Sequence, residues 1–210
     1  GPVPPFRFDA AVAAVFPDMI GRSVPAYAAH LELLGALAQP YLRSHDTVVD
    51  LGCSWGAASL AVARTAGCPP LRFVGVDLST EMLGHAARAA DAHAPPGHSF
   101  NWREGDVAEF VPEPCRVMIS HYTLQFVPPA CRDVVLARWF AALAPSGALF
   151  LSEKVASDDE AWAEGALGTF KRAQGYSERE IANKRAALAG VLQPEPLAVH
   201  EARLRAAGFC

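Results

Sequence analysis

Short apolar runs alternate with longer helical stretches through the middle of the chain. The runs are of the kind found in parallel strands buried on both faces, and they cover Thr47–Leu51 and residues 71–76, 116–120 and 148–152. Apolar residues recur at helical spacing between them, in Ala57–Thr65, Thr80–His93 and residues 131–143. A weaker strand is expected at Ser99–Glu104. This alternation predicts a doubly wound, Rossmann-like α/β sheet.

Helical patterns flank the predicted sheet on both sides. Residues 9–43 have apolar positions three and four apart, and Pro17, Pro25 and Pro40 are expected to divide them into short helices. After Lys154 the sequence becomes charged and helical, which predicts an insertion after the fifth strand. The expected divisions are a helical cap at 1–43, an α/β core at 44–155, an insertion at 156–195 and a last core helix at 196–210. Because this sheet would be small, we expect the natural protein to continue beyond residue 210.

Composition narrows the possible functions. The chain of 210 residues is 51% hydrophobic and 19% charged with a net charge of −4, which excludes disorder. No apolar stretch reaches the roughly 20 residues of a membrane span. Lys and Arg form no block, so direct binding of nucleic acid is not expected. The five cysteines contain no C-x-x-C pair, and with no visible signal peptide the sequence predicts a cytoplasmic protein without a metal site.

A glycine turn follows the first strand. Gly52 and Gly56 lie four residues apart between this strand and the next helix, where free backbone N–H groups favour a polar or anionic ligand. The spacing differs from the dinucleotide pattern G-x-G-x-x-G, because Ser54 takes the place of the middle glycine. A nucleoside without a pyrophosphate fits better. A purely structural turn, in which Gly56 lets the helix approach the strand, stays open.

Two further strands end in acidic residues. Asp77 ends the second strand and could accept hydrogen bonds from the two ribose hydroxyls, or it could cap the following helix. Asp106, with Val107 beside it, follows the third strand and could bind the adenine amino group against an apolar face. Parallel strands end at one edge of a sheet, so Gly52, Asp77 and Asp106 should converge. Together they indicate an adenosine ligand.

Two further residues, His121 and Arg185, could contact the part of the ligand that lies beyond the adenosine. His121 follows the fourth strand and could be a general base or a hydrogen-bonding residue, while Tyr122 and Phe126 are expected in the core. Ser177 and Glu180 form a capping box that starts a helix ending near Gly190.

On that helix Arg185 falls between Ile181 and Leu188 on the apolar stripe, whereas Lys184 should point elsewhere. Arg185 could make a structural ion pair, extend to water, or grip a ligand carboxylate with two hydrogen bonds.

These residues resemble the class I S-adenosylmethionine-dependent transferases, and among them the carboxy-S-adenosyl-L-methionine synthases of tRNA wobble-uridine modification. The resemblance covers nearly the whole chain. Its most specific blocks are Leu-Ser-Glu-Lys at 151–154 and Phe-Lys-Arg-Ala at 170–173; other matching blocks lie at 15–20, 22–25, 50–54, 123–126 and 147–149, at Tyr27, at 175–177 and 184–185, and at 202–204 and 208–209.

The resemblance implies a reaction and a set of site residues. Such enzymes convert S-adenosylmethionine and prephenate to carboxy-S-adenosylmethionine and phenylpyruvate, with a sulfonium ylide capturing the carboxyl group. By resemblance, Arg185 binds the new carboxylate across a homodimer interface, which the insertion would form. The resemblance assigns the S-adenosylmethionine site to Tyr27, Gly52, Cys53, Ser54, Asp77, Asp106 and Val107.

Two site positions depart from the family pattern. Leu78 replaces a polar residue after the ribose aspartate, and His121 replaces an asparagine beside the cofactor. Three alternatives remain open: a methyltransferase acting on a small molecule, a specialised homologue in natural-product biosynthesis, and a silent adenosine-binding scaffold. Arg185 separates the first from a carboxy-S-adenosylmethionine synthase, because an ordinary methyltransferase needs no arginine near the methyl group.

Overall fold

The computed structural model describes Phe6, residues 9–68 and residues 70–210. Its five strands form one parallel sheet in the order β3-β2-β1-β4-β5. The strands are β1 (Thr47–Leu51), β2 (Arg72–Asp77), β3 (Ser99–Glu104), β4 (Cys115–His121) and β5 (Leu143–Ser152). The helices are α1 (Ala10–Ser23), α2 (Tyr27–Ala38), α3 (Ala57–Thr65), α4 (Thr80–His93), α5 (Pro129–Ala142), α6 (Glu160–Ala173), α7 (Glu178–Leu188) and α8 (Leu197–Ala207). Short 3-10 turns cover Gln39–Tyr41 and Leu124–Phe126.

The sheet has apolar cores on both faces, which confirms the predicted doubly wound class. Successive side chains of a strand point to opposite faces. Val48 therefore packs with α2 and α3 on one face, whereas Val49 packs with α5 and α8 on the other. The parallel register carries this division across the sheet, since Val48 pairs with Phe73, and Val49 pairs with Val74.

The bounds of the strands follow the prediction except at β5. β1 and β3 lie where the sequence places them, while β2 and β4 differ by one residue at their ends. β5 begins five residues before the predicted start, at Leu143, which pairs with Cys115. The register then shifts, so that Val117 pairs with Ala148. The Pro-Ser-Gly sequence of this irregularity hides the early pairing, because proline and glycine normally end a strand.

The expected helix break at Pro17 is wrong. α1 runs from Ala10 to Ser23 with Pro17 inside it. A proline cannot donate to the carbonyl four residues earlier, which here belongs to Ala13. The indole Nε1–H of Trp55 donates to that carbonyl at 3.1 Å instead. A side chain of the glycine turn thus replaces the missing hydrogen bond. The carbonyl that Pro17 leaves free is therefore the point at which α1 binds to the turn.

The helical insertion begins and ends at the same place in the fold. Val155 forms a bridge with Glu195, and the Ala156 N–H donates to the Glu195 carbonyl at 3.0 Å. The Glu195 carboxylate also pairs with the fully buried Arg132 of α5 and with Arg203 of α8. α6 and α7 therefore leave the sheet edge and return to it. No helix in the described part of the chain has the length and apolar character to cross a bilayer.

Candidate functional site

A cavity of about 1080 Å³ lies at the carboxyl ends of the strands. The ends of β1, β2, β3 and β4 form one wall, and α6 and α7 form the facing wall. Every predicted site residue lines this cavity: Tyr27, Gly52, Cys53, Ser54, Asp77, Leu78, Asp106, Val107, His121 and Arg185. The predicted convergence of the strand ends is therefore confirmed.

Gly52 occupies a position where no other residue fits. Its φ is +74°, and a Cβ there would lie 2.3 Å from the Thr123 Oγ1. The N–H groups of Gly52 and Cys53 both donate to the Val76 carbonyl, at 2.8 and 3.0 Å. The turn is thereby tied to β2 and leaves its inner backbone surface open to the cavity. A glycine is needed because the chain bends here with positive φ and with Thr123 against it.

Gly56 serves a different purpose from the expected approach of helix to strand. It caps α3 with φ +72°, and a Cβ there would lie 2.6 Å from the ring of Trp102 on β3. Ser54 also has positive φ, at +48°, between the two glycines. The aromatic ring of a neighbouring strand, rather than the backbone of β1, therefore explains the second glycine.

Asp77 holds the glycine turn and the start of α4 at once. Its two carboxylate oxygens accept from the Ser54 N–H and the Ser79 N–H, each at 2.9 Å. The helix cap is Ser79, whose hydroxyl accepts from the Met82 N–H, so Asp77 is not itself the cap. Burial raises the pKa of Asp77. Each oxygen retains a lone pair, which leaves the carboxylate able to accept ligand hydroxyls.

The end of β3 is more open than the end of β2. Asp106 is exposed and one of its oxygens accepts from the Ala108 N–H at 2.8 Å. Val107 is half-buried and packs against the apolar core beneath it. Leu78 is 67% exposed at the cavity rim. A flat apolar surface beside a free carboxylate oxygen suits the edge of a purine, as the sequence predicts.

His121 stands between the sheet and α2. Its Nδ1 lies 3.0 Å from the Ser152 Oγ, whereas its buried Nε2 has no partner among the described residues. The Tyr27 ring tilts over it at 5.4 Å. Burial lowers the pKa of His121 to about 4, and His30 adds to the effect. The imidazole is therefore neutral at physiological pH and offers at most one acceptor to the cavity.

Tyr122 and Phe126 line the cavity, so their expected place in the core is wrong. Both are half-buried, and Tyr122 adopts positive φ at +59°. The Tyr122 hydroxyl lies 2.7 Å from the Nδ1 of His30 on α2. This left-handed backbone turns the phenol away from the sheet and toward α2, a conformation that hydrophobic periodicity cannot reveal.

Two buried carboxylates escaped assignment from the sequence. Asp50 lies in β1 with an exposed fraction of 1%, and its Oδ2 accepts from the Ser59 N–H and hydroxyl at 3.1 and 2.7 Å. Asp50 lines the cavity, its buried Oδ1 has no partner among the described residues, and burial raises the pKa of Asp50 to about 6. An acidic residue inside an apolar strand is a signal that could have identified it.

Glu153 is the second of these carboxylates. It follows β5 and accepts from the backbone N–H groups of Leu124 and Gln125 at 2.8 and 2.9 Å. Burial raises the pKa of Glu153 to about 7, although these hydrogen bonds oppose the shift. Glu153 therefore holds the loop that follows β4, and with it the position of Tyr122.

The facing wall carries most of the positive charge around the cavity. Arg185 of α7 pairs with Glu164 of α6 at 2.7 Å, and its side chain is 64% exposed. Arg185 shares the cavity-facing side of α7 with Ile181 and Leu188, as the helical spacing predicts, and it makes one of the expected alternatives, an ion pair. Ile181 and Leu188 are only half-buried themselves, because this stripe faces an open cavity rather than a packed core.

Lys184 also lines the cavity, against the expectation that it points elsewhere. It is more buried than Arg185, and its Nζ donates to the Ser23 hydroxyl at 2.5 Å. The Tyr176 ring lies 5.5 Å from the same Nζ and also stacks on Arg22. Burial lowers the pKa of Lys184 to about 8, with Lys171 and Arg22 contributing. Adjacent residues of a helix diverge by about 100°, but both sides of α7 face this wide cavity.

Comparison with known proteins identifies the family. Residues 48–147 match the model of a methyltransferase domain. The carboxy-S-adenosyl-L-methionine synthase of Chromohalobacter salexigens is 44% identical over 97% of this chain and 76% of its own length. That of Klebsiella pneumoniae is 40% identical over 97% of the chain and 83% of its own length. The chain belongs to the carboxy-S-adenosyl-L-methionine synthase family.

Solved structures agree with this family at the level of the fold. The cyclopropane synthase MmaA2 from Mycobacterium tuberculosis has a TM-score of 0.64 at 19% identity, over 88% of this chain and 61% of its own. The mycolic acid cyclopropane synthase CmaA1, solved with SAH and CTAB, has a TM-score of 0.65 at 17% identity, over 88% and 61%. This carboxy-S-adenosyl-L-methionine synthase family member therefore shares its fold with these structures.

Proposed function

We propose that this chain converts S-adenosylmethionine and prephenate to carboxy-S-adenosylmethionine and phenylpyruvate. The observation that carries the proposal is that one cavity joins the carboxylates of the strand ends to a wall of cationic side chains on α6 and α7. The strand ends offer what an adenosine needs, while the cations suit reactants and a product that carry carboxylates. A cavity of about 1080 Å³ is large enough for two small molecules.

In the proposed reaction prephenate loses its ring carboxyl group as carbon dioxide and its hydroxyl group as the ring becomes aromatic. The sulfonium methyl group gives up one proton and forms a bond to the carbon dioxide. The departing hydroxyl and this proton leave as water, so the atoms and charges balance. A guanidinium near the methyl group would stabilise the new carboxylate without improving the binding of S-adenosylmethionine, which is selective stabilisation of the product side.

The adenosine is assigned to the wall formed by the strand ends. Asp77 would accept from the ribose hydroxyls, and Asp106 with Val107 would receive the adenine. Gly52, Cys53 and Ser54 would present the open backbone of the turn to the ligand. Tyr27, Leu78 and His121 would contact its remaining faces.

Arg185 is proposed to act across a homodimer. Its guanidinium is 64% exposed and held by Glu164, so a neighbouring chain could receive it. The insertion of α6 and α7 would form the interface, and a pathway that modifies tRNA wobble uridine would consume the product. The enzyme itself would bind no nucleic acid, since the net charge is −4. We propose a cytoplasmic location.

Incubation of the protein with S-adenosylmethionine and prephenate, followed by mass spectrometry, tests the proposal. We expect a product heavier than S-adenosylmethionine by one carbon dioxide, and a ¹³C label in the ring carboxyl group of prephenate should appear in it. Phenylpyruvate should form in equal amount. An unlabelled product, or phenylpyruvate without a change in S-adenosylmethionine, would contradict the proposal.

A methyltransferase acting on a small molecule is the second candidate. The observation that favours it is His121, whose Nε2 has no partner in the described structure and could accept from a nucleophile. This candidate predicts S-adenosylhomocysteine as the product and no dependence on prephenate. The same mass spectra therefore separate the two.

A further inference from the structure

Lysine is distributed very unevenly in this chain. The sequence contains fifteen arginines but only three lysines, Lys154, Lys171 and Lys184. All three line the one cavity described above, although they come from the end of β5, from α6 and from α7. Most of the arginines lie elsewhere on the surface or in ion pairs with carboxylates.

Lys171 lies on a face of α6 that is turned entirely toward the cavity. The residues of α6 that line it have helical spacing: Glu160, Ala163, Glu164, Leu167, Gly168 and Lys171. Lys171 is half-buried, and no carboxylate or other acceptor lies within hydrogen-bond distance of its ammonium among the described residues. Its neighbour Glu164 pairs with Arg185 instead.

Lys184 faces the same space from α7. One of its three N–H groups donates to Ser23, whose own proton goes to the Met19 carbonyl at 2.6 Å. The other two N–H groups have no acceptor within the described residues. Its charged neighbours are cations, since Arg22 lies across the Tyr176 ring and Lys171 lies on the adjoining helix.

This wall therefore holds more positive charge than its own residues neutralise. Burial lowers the pKa of Lys171, and the charges of Lys154 and Arg185 add to this shift, which outweighs the opposing effect of Glu164. Glu153 also lines the cavity, but both of its oxygens accept from backbone N–H groups and it pairs with neither lysine of this wall among the described residues. Removing a cation from water raises the free energy of the folded protein unless a bound anion offsets the cost.

We infer that Lys171 and Lys184 form a subsite for the carboxylates of the carboxyl donor, separate from the strand-end wall and from Arg185. The inference rests on the proposed function and names the residues that would bind its second reactant. A donor with two carboxylates matches two ammonium groups with free N–H donors. Lysine suits this task because its compact charge on a flexible stem can follow a group that leaves during the reaction.

Paired substitutions in the full-length chain test this subsite. Lys171→Met and Lys184→Met, singly and together, remove the charge while keeping most of the volume. We expect the KM for prephenate to rise about tenfold for each single variant, as for loss of a charge-assisted hydrogen bond. The affinity for S-adenosylmethionine, measured by calorimetry, should change less than twofold. Lys184→Arg should recover much of the donor affinity.

Arg88→Met is the matched control, because Arg88 is an exposed cation of α4 outside the cavity. It should leave both constants unchanged. Melting temperatures complete the controls: since both lysines are half-buried cations, the methionine variants should be at least as stable as the parent. A folded double variant with unchanged KM for prephenate would overturn the subsite. So would a loss confined to S-adenosylmethionine, which would assign these lysines to its methionine carboxylate.

A binding measurement separates failure of the subsite from failure of the proposed function. Prephenate is titrated into protein saturated with S-adenosylhomocysteine, which has no methyl group to carboxylate. Binding that the double variant loses supports the subsite even if the parent protein makes no carboxylated product. Binding that the double variant retains overturns the subsite even if the product forms. No binding by the parent protein would overturn both proposals.

Discussion

The two walls of the cavity are built in different ways. The wall of strand ends is held by backbone N–H groups, such as those of Ser54 and Ser79, which donate to the carboxylate of Asp77. The helical wall is held by side chains, such as Arg185 on Glu164 and Lys184 on Ser23. A backbone frame tolerates little change, whereas charged side chains can be exchanged without moving a helix. The first wall therefore suits the proposed adenosine ligand, and the second suits the proposed carboxyl donor.

Asp77→Ala should have the largest effect on ligand binding, because it changes the wall of strand ends. It removes the proposed acceptor of the ribose and leaves the Ser54 and Ser79 N–H groups without their partner. We expect the affinity for S-adenosylhomocysteine, measured by calorimetry, to fall about a hundredfold or more. The exposed Asp91 of α4 lies outside the cavity, so Asp91→Ala is the control. An unchanged affinity in folded Asp77→Ala would place the nucleoside elsewhere.

Alanine at two glycines compares the tightly packed turn of the first wall with α6, the helix that carries the second. Gly52→Ala forces a side chain into a turn with φ +74° and against Thr123, so we expect a loss of about 2 to 4 kcal/mol in the free energy of unfolding. Gly165 of α6 has open space where a Cβ would lie. Gly165→Ala should therefore stabilise the protein by about 0.5 to 1 kcal/mol. Denaturant titration measures both, and equal effects would contradict the contrast.

Arg185→Ala tests the side-chain wall without disturbing the fold. The exposed guanidinium contributes only the pair with Glu164, so stability should change by less than about 1 kcal/mol. Binding of carboxy-S-adenosylmethionine should weaken about ten- to a hundredfold, while binding of S-adenosylmethionine is retained. Glu164→Gln serves as the control that breaks the pair but keeps the cation. Equal loss of both ligands in Arg185→Ala would contradict the assigned role.

The wall of strand ends could be predicted from the sequence because its signals are local. Gly52, Asp77 and Asp106 each follow a recognisable strand, and the parallel topology brings strand ends to one edge. A glycine with positive φ and an acid at a strand end are properties of a few adjacent residues. The pattern therefore predicts that these residues meet at one edge of the sheet, and all three line the cavity there.

The helical wall could not be predicted to the same depth, because its geometry depends on contacts between distant segments. The pattern on α7 favoured Arg185 as the inward cation, yet Lys184 is more buried because Ser23 and Tyr176 lie next to it. The sequence predicts that Pro17 ends a helix. The helix continues because the distant Trp55 donates to the Ala13 carbonyl that Pro17 leaves without a partner. Helical periodicity identifies a face and cannot say what that face meets.

Titration of Lys184 should give the smallest of the predicted effects. It tests whether a single side chain of the helical wall controls binding of the donor. Burial lowers the pKa of this group to about 8, so in the free protein its charge is present below pH 8 and is lost as the pH rises through that value. The KM for prephenate should therefore rise several-fold between pH 7 and 9. Arginine stays charged throughout this range, so Lys184→Arg should remove the rise.

The other ionisable groups of the site predict different profiles. Arg22 keeps its charge, and burial raises the pKa of Tyr122 and Tyr27 above their ordinary values. Glu153, with a pKa raised to about 7, gains negative charge at a lower pH than Lys184 loses its positive charge. A rise in KM that persists in Lys184→Arg would assign the titration to Lys171, whose pKa burial also lowers, or to Glu153, and not to Lys184. A rise that disappears would make the side-chain wall, and Lys184 in it, the part of the cavity that senses the charge of the donor.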